Sequence, residues 1–258
     1  MIRRQFLPAL IVVVVFTLVL GLAYPLAVTG IAQVAFHSKA NDSLVKVNGK
    51  VVGSSLLGQN FTDKDGNPIP KYFQSRPSAA GAEGYDASAS SASNLGPSNA
   101  NLIGNVPGVS IDGKTNPYAT PTDPYCVPVQ ATDKNGNDIT DKNGNAVYEK
   151  NKDGTYACDP NTVPQRVLAY RAENGLASSV KVPVDAVTAS FSGLDPAISV
   201  ANARLQASRV ARVRHLNLDQ VLALVSKYTN GRGLGFMGEP AVNVLELNLA
   251  LDRLQQRR

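Results

Sequence analysis

The sequence predicts an α+β extracytoplasmic domain attached to a single N-terminal transmembrane helix. Three observations lead there. From Gln5 to Ser38 there is no Lys, Arg, Asp or Glu. Behind that run, short β-prone stretches alternate with Asn-Gly and Asp-Gly pairs, the dipeptides that favour hairpin turns. The last third sets apolar residues at helical spacing behind a capping residue, Asn217, as helices require. The 258 residues are 43% apolar and only 17% charged. A charged share below the usual quarter fits a chain that lies partly out of water, and the apolar content excludes the disordered class. Two Cys are too few for a disulfide-dense scaffold.

The division along the chain reads as a cytoplasmic N-terminus 1–6, a transmembrane helix 7–30, the first part of the outer domain 31–104, a hairpin-rich insertion 105–160, and a helical second part 161–258. About 20 apolar residues rising 1.5 Å each cross a bilayer core, and Leu7–Leu22 with its continuation through Leu26 is long enough. A cleaved signal peptide has an apolar core of about 7–15 residues; Gly30-Ile31-Ala32 offers a cleavage site, but the length favours a retained anchor. Arg3 and Arg4 precede the span and place the N-terminus in the cytoplasm, with the bulk of the chain outside. Pro8 falls near the helix start, where a missing N–H costs little, whereas Pro25 should kink or end the helix.

Val45–Val52 reads as a hairpin around Asn48-Gly49. Residues 77–104, rich in Ser, Ala, Gly and Asn, form a linker or a loop held by its own polar side chains. The insertion repeats Asp133-Lys-Asn-Gly-Asn137 as Asp141-Lys-Asn-Gly-Asn145, with Asn151–Thr155 and the earlier Asp63–Asn67 of the same shape. These units read as hairpin turns. Val180–Val187 has strand character, Val200–Val213 helical spacing, and Asn217 caps a helix from Leu218 to Tyr228 with Leu218, Val221, Leu222 and Val225 on one stripe. Gly231–Gly238 breaks that helix. Val242–Leu254 suits both alternation and helical spacing; its length favours a helix entered through Pro240.

Several functions are excluded. The net charge of +5 divides by region: 1–103 has eight basic and five acidic residues, 104–160 five and eight, 161–258 twelve and seven. No basic stretch is interleaved with aromatics, so no nucleic-acid partner is expected; Arg204, Arg209, Arg212 and Arg214 read as a solvated helix face. Gly108–Thr115 fits the P-loop pattern, but Pro107 stands where a strand must enter and Pro117 where a helix must leave. Gly233–Gly238 fits G-x-G-x-x-G without the preceding strand. The DKNGN units place Gly fourth, not sixth as a calcium loop needs. With only His37 and His215 and no nucleophile elbow or zinc pair, the chain has no catalytic residues of its own. Cys126 and Cys158 are disulfide candidates on the oxidising side of a membrane.

Outside the insertion, a set of phrases resembles one family. They are Tyr24-Pro-Leu26, Gly53–Phe61, Tyr72-Phe-Gln-Ser-Arg76-Pro-Ser-Ala79, Tyr85-Asp86, Ser93-Asn-Leu95, Ser98-Asn99, Val182-Pro183, Val187–Ser190, Ser192–Pro196 and Gly238–Leu245, leading to Leu247–Asp252. Together they resemble the C subunit of the Kdp-type potassium-transporting ATPase, the KdpC family, from 20 to 104 and from 162 to 254. The block 105–160 departs from the pattern. The resemblance implies a non-catalytic accessory subunit of a high-affinity ATP-driven potassium importer. It would assemble and stabilise the complex and take part in raising the ATP affinity of the pump subunit. The implied partners are a potassium-translocating A subunit, an ATP-hydrolysing B subunit and a small F peptide, besides the lipid bilayer. ATP and potassium are then handled by the complex, and no cofactor is expected on this chain. The chain lacks the D-K-T-G phosphorylation motif of a pump subunit.

Within the shared phrases, the polar residues Gln59, Arg76, Asp86, Asn94, Asn99, Asp195, Asn243 and Asn248 are candidates for contact with a partner subunit. Asn, Asp and Ser also satisfy backbone groups in loops of this composition, so a fastening role competes with a contact role. The alternative function is a free-standing membrane-anchored binding module that recognises its target through the insertion.

Overall fold

The computed structural model describes residues 2–96, 99, 126–134 and 137–256. Its first element follows from the charge-free run: helix α1 (Ile2–Leu18), a π-helical turn (Val19–Ala23) and helix α2 (Tyr24–Ala35) are continuous. Arg4–Ala35, 32 residues with mean hydropathy 2.8, is long and apolar enough to cross a membrane. Pro25 does not end it. A proline removes the N–H that the carbonyl four residues back would accept, and its ring crowds that carbonyl. The chain widens one turn earlier, where Tyr24 N–H donates to Val19 O five residues back, and such π turns absorb a misfit without breaking the helix. Pro8 lies inside α1, not in its first turn.

Two compact units make up the chain, Met1–Leu56 and Leu57–Arg258. In the first, helix α3 (His37–Ala40) leads to strands β1 (Leu44–Val47) and β2 (Lys50–Ser54). They pair antiparallel around Asn48-Gly49, both in the left-handed region at φ 50° and 80°, the geometry that Asn-Gly tolerates.

The second unit is mixed α and β. Helix α4 (Val163–Asn174) begins at Thr162, whose side chain accepts from Gln165 N–H, with Pro164 in its first turn. Strand β3 (Ala197–Ser199) runs directly into α5 (Val200–Arg214), capped by Ser199 on Asn202 N–H. Asn217 caps α6 (Leu218–Lys227) through Asp219 N–H. Strands β4 (Thr229–Asn230) and β5 (Ala241–Asn243) follow, and then α7 (Val244–Gln256). The sheet order is β3-β5-β4, all antiparallel, with Ile198 opposite Val242 and Thr229 opposite Val242. Its apolar face and the helices enclose one core of Phe73, Ile198, Val210, Val221, Val225, Val242, Leu247 and Leu251.

Four sequence expectations change here. Val180–Val187 forms no strand: Pro183 N-caps a 3-10 turn over Val184–Ala186. Val242–Leu254 is a helix only from Val244, because Ala241–Asn243 pairs with both neighbours first. Leu218 stays exposed while Val221 and Val225 are buried. The arginine face of α5 is not solvated throughout: Arg204 and Arg212 are exposed, but Arg209 and Arg214 are buried.

The described part of the block 105–160 has a regular plan. Asp133 and Asp141 each accept the backbone N–H of the Asn four residues on at 2.9 Å, and donate their own N–H to its carbonyl at 2.8 Å. Asp63 and Asn67 do the same, both at 2.9 Å. The aspartate thus closes a five-residue loop, wider than a two-residue Asn-Gly turn. At the base of the fingers the backbone forms two closed three-membered rings. In one, Ala131 N–H donates to Val147 O, Val147 to Ile139, and Ile139 back to Ala131. In the other, Val129 donates to Ala157, Ala157 to Glu149, and Glu149 to Val129. Cys126 and Cys158 are joined by a disulfide across the neck.

Candidate functional site

The polar residues of the second unit converge on one stretch of chain, Pro70–Arg76. Phe73 buries its ring in the core, which draws its own backbone out of water and leaves Tyr72 and Gln74 half-buried beside it, where backbone groups need partners. Among the described residues no strand supplies them. Instead, side chains of α5 and α7 act as a replacement strand. Asn248 accepts Phe73 N–H at 2.9 Å and donates to Phe73 O at 3.0 Å. Gln206 accepts Gln74 N–H at 2.7 Å and donates to Gln74 O at 3.1 Å. Arg209 donates Nη1 to the carbonyls of Pro70 and Tyr72, and Arg214 donates Nε to Lys71 O at 2.7 Å. Five successive carbonyls, Pro70 to Gln74, therefore each receive a side-chain donor.

These donors are themselves fixed. Arg209, 2% exposed, also donates Nε to Asn174 Oδ1 and Nη2 to Gln206 Oε1, both at 2.9 Å, and ion-pairs with Glu173 at 3.2 Å. Burial pushes the Arg209 pKa down and the Glu173 pKa up, each opposed by the other's charge. Arg214 ion-pairs with Asp252 at 2.8 Å and lies over the Tyr72 ring at 5.0 Å. Asn202 links Tyr170 OH, Gln206 Nε2 and the Asp185 carboxylate, while Asp185 accepts from Ser199 N–H and Oγ. Such a network is favourable only when its members are satisfied together.

A second knot joins the loops on either side. Arg76 Nη1 meets Asp195 Oδ2 at 3.1 Å, and its Nη2 reaches Thr188 O and Ala189 O. Asp195 also accepts Ala197 N–H at the head of β3. Tyr85 OH donates to Arg76 O at 2.9 Å, and burial pushes its pKa up to about 12. Ser78 Oγ donates to Gly193 O at 2.6 Å and accepts from Ala80 and Tyr85 N–H. The backbone here passes so close that a Cβ on Gly193 would stand 2.7 Å from Ala80 Cβ. A cleft of about 250 Å³ opens beside the knot, lined by Arg76, Arg166, Tyr170, Glu173, Asn202 and Gln206 among others.

The candidates named from the sequence do not form a single site. Arg76 and Asp195 meet; Asn248 holds Phe73. Asn243, buried, caps α7 by accepting Glu246 N–H at 3.0 Å and donates its own N–H to Tyr228 O. Gln59 offers its carbonyl to Ser75 Oγ. Asp86 is exposed, its pKa lowered by hydrogen bonds from Ser88. Asn94, exposed, takes a left-handed turn at φ 55°, and Asn99 N–H donates to Gly96 O. The P-loop-like stretch Gly108–Thr115 lies outside the described residues. Gly233–Gly238 is the loop between β4 and β5.

Much of the cradle of side chains around Pro70–Gln74 comes from residues with no predicted role there: Asn202, which holds Gln206, then Gln206 itself, and Arg209 and Arg214, which read as a solvated face. Their signal is a polar face on a helix otherwise filled with Ala, at spacings of four, three and five. Chemically, the arrangement fastens backbone. Among the described residues no group of three or more His, Cys, Asp and Glu side chains is placed to hold a metal ion.

Comparison with known proteins follows the same lines. The family described as "KdpC: K+-transporting ATPase, c chain" matches residues 6–137 and 138–253. A Mycobacterium tuberculosis (strain ATCC 25618 / H37Rv) protein named potassium-transporting ATPase KdpC subunit is 44% identical over 252 residues, covering 98% of this chain and 100% of that one. Proteins of the same name from Methylococcus capsulatus and Caulobacter vibrioides are 41% and 44% identical, covering 98% and 95% of this chain and 99% and 91% of their own length.

Proposed function

We propose how this chain acts, from the premise that it belongs to the KdpC family and is a subunit of a K+-transporting ATPase complex. Its role is that of an accessory subunit. The helix Arg4–Ala35 anchors it and packs against the membrane helices of the potassium-translocating and ATP-hydrolysing subunits. The unit Leu57–Arg258 stands on the extracytoplasmic side and caps the translocating subunit. Potassium and ATP are bound by those other subunits.

The observation that carries this reading is how the polar side chains are used. Arg209, Gln206, Asn248 and Arg76 spend their hydrogen bonds on this chain's own backbone, which suits a rigid body that braces others. The apolar side chains of the long helix, by contrast, are exposed along its length. Arg4 at the head of the span and a disulfide at Cys126–Cys158 support the outward orientation. An influence on ATP affinity then has to travel through the membrane helix. Co-purification tests the proposal: the ATPase complex should come out of the membrane intact with this chain and fall apart without it. A complex of unchanged yield and ATPase activity in its absence refutes the bracing role.

A further inference from the structure

The loop between β4 and β5 ends in a cluster of apolar side chains that nothing among the described residues covers. Leu234 is 85% exposed, Phe236 72% and Met237 56%. Scattered apolar residues on a surface are ordinary, but three large ones in four positions at a loop tip are not. The tip is also held rigidly. Gly233 N–H donates to Met237 O and Met237 N–H to Gly233 O, both at 2.8 Å. Gly235 N–H and Phe236 N–H turn back to Arg232 O and Gly233 O at 3.2 Å. At the neck, Arg232 Nη2 donates to both carboxylate oxygens of Glu239, at 2.8 and 2.7 Å. Leu234 is kept at φ 53°, a left-handed conformation that residues with a Cβ avoid. The backbone is thus bent against its preference, and the result is that Leu234 and Phe236 point their bulk into solvent.

We propose that Leu234, Phe236 and Met237 form a preorganised plug that seats in an apolar socket on another subunit of the potassium-transporting ATPase. This inference rests on the accessory-subunit reading above. Two features favour a protein socket over a lipid surface. Loops that dip into membranes carry a surplus of Lys or Arg for anionic headgroups. Here the neck is an Arg–Glu pair of no net charge, with Glu239 79% exposed. Moreover, a fluid bilayer gains little from a fixed shape, whereas a socket of fixed shape rewards a plug whose ordering cost is already met. Interfaces concentrate their energy in a few such large side chains.

The test places a photo-activated cross-linking residue at position 236 of the full chain in the assembled ATPase, and the same residue at Leu22 in the membrane helix. The inference expects an adduct from 236 to one other subunit, mapped by mass spectrometry to an apolar pocket. Phe236→Ala, whose side chain is not part of the core, should leave the far-ultraviolet spectrum unchanged. It should weaken reassembly of the purified subunits about thirtyfold, the scale of an interface hot spot. An adduct from Leu22 but none from 236 overturns the plug and leaves the accessory reading standing. Adducts from 236 to phospholipid alone overturn it in favour of a lipid contact. No adduct from either position defeats the accessory reading itself, and the plug with it.

Discussion

Asn248→Leu should cost the second unit most of its margin of stability for so small a change in shape. Asn248 is 1% exposed and pairs with both the N–H and the C=O of Phe73. Leucine fills a similar volume but leaves both backbone groups buried and unpartnered. Each such group costs about 1–3 kcal/mol, so the expected loss for the two is about 2–6 kcal/mol. For a unit of this size, about 3 kcal/mol lowers the melting temperature by about 6–12 °C. Thermal or urea unfolding of the full chain in detergent, followed by far-ultraviolet dichroism, reads this directly. Asn248→Asp adds an internal control. The introduced carboxyl would be buried, so its folded pKa lies above its unfolded one. When protonated it can accept from Phe73 N–H and donate to Phe73 O, as the amide does. Its stability is therefore highest below the unfolded carboxylate pKa and is lost as pH rises through the folded value. If Asn248→Leu melts within about 1 °C of the parent, or Asn248→Asp shows no recovery on acidification, the replacement-strand argument is wrong.

Three further perturbations probe other parts of the unit. Burial raises the Glu173 pKa, so the folded chain holds that proton longer than the unfolded one. The parent should lose stability relative to Glu173→Gln as pH rises from near 4.5 through the raised value, and parallel stability–pH curves for the two proteins would contradict this. Gly193→Ala must adopt φ 69° with its Cβ 2.7 Å from both Ala80 Cβ and Ser91 O; a loss of at least about 2 kcal/mol is expected, and unfolding midpoints decide it. Reducing the Cys126–Cys158 bond, which spans 32 positions, should withdraw about 3–4 kcal/mol of loop-closure entropy. Amide exchange should then accelerate at Val129 and Ala157 while Phe73 N–H remains protected; equal acceleration at all three would mean that the ringed fingers and the core unfold together.

What could be read in the sequence was local. Asn217 as a cap and the turn at Asn48-Gly49 act on neighbours within a few residues, and the structure has both in place; the repeats at Asp133 and Asp141 read as Asn-Gly turns, and the aspartates that close them emerge only in the structure. The apolar span was legible from composition alone, though the π turn ahead of Pro25 was not, because helical bonding can slip by one residue to absorb a proline. The cradle was hidden for a different reason. Arg209 finds Tyr72 at a separation of 137 residues, and Asn248 finds Phe73 at 175. Periodicity places Arg209 on a helix but says nothing about which backbone waits opposite it, so a solvated face was the natural expectation. Helix α4 has a cap in Thr162 and Pro164 in its first turn, but its apolar stripe is too thin for periodicity to predict it. Arg76 and Asp195 lay within the shared phrases, but their meeting depends on how two loops fold over each other.

The two backbone rings between Val129 and Ala157 make the architecture there modular in a specific way. Each ring closes on three participants, and every donor in it is another member's acceptor. Removing one finger would open both sides of a circuit, stranding a donor on one arm and an acceptor on another. Lengthening a finger beyond its ring residue would disturb neither. The count of arms is thus locked by topology, whereas the reach of each arm is free to vary, and new sequence can be added at the tips without renegotiating the base.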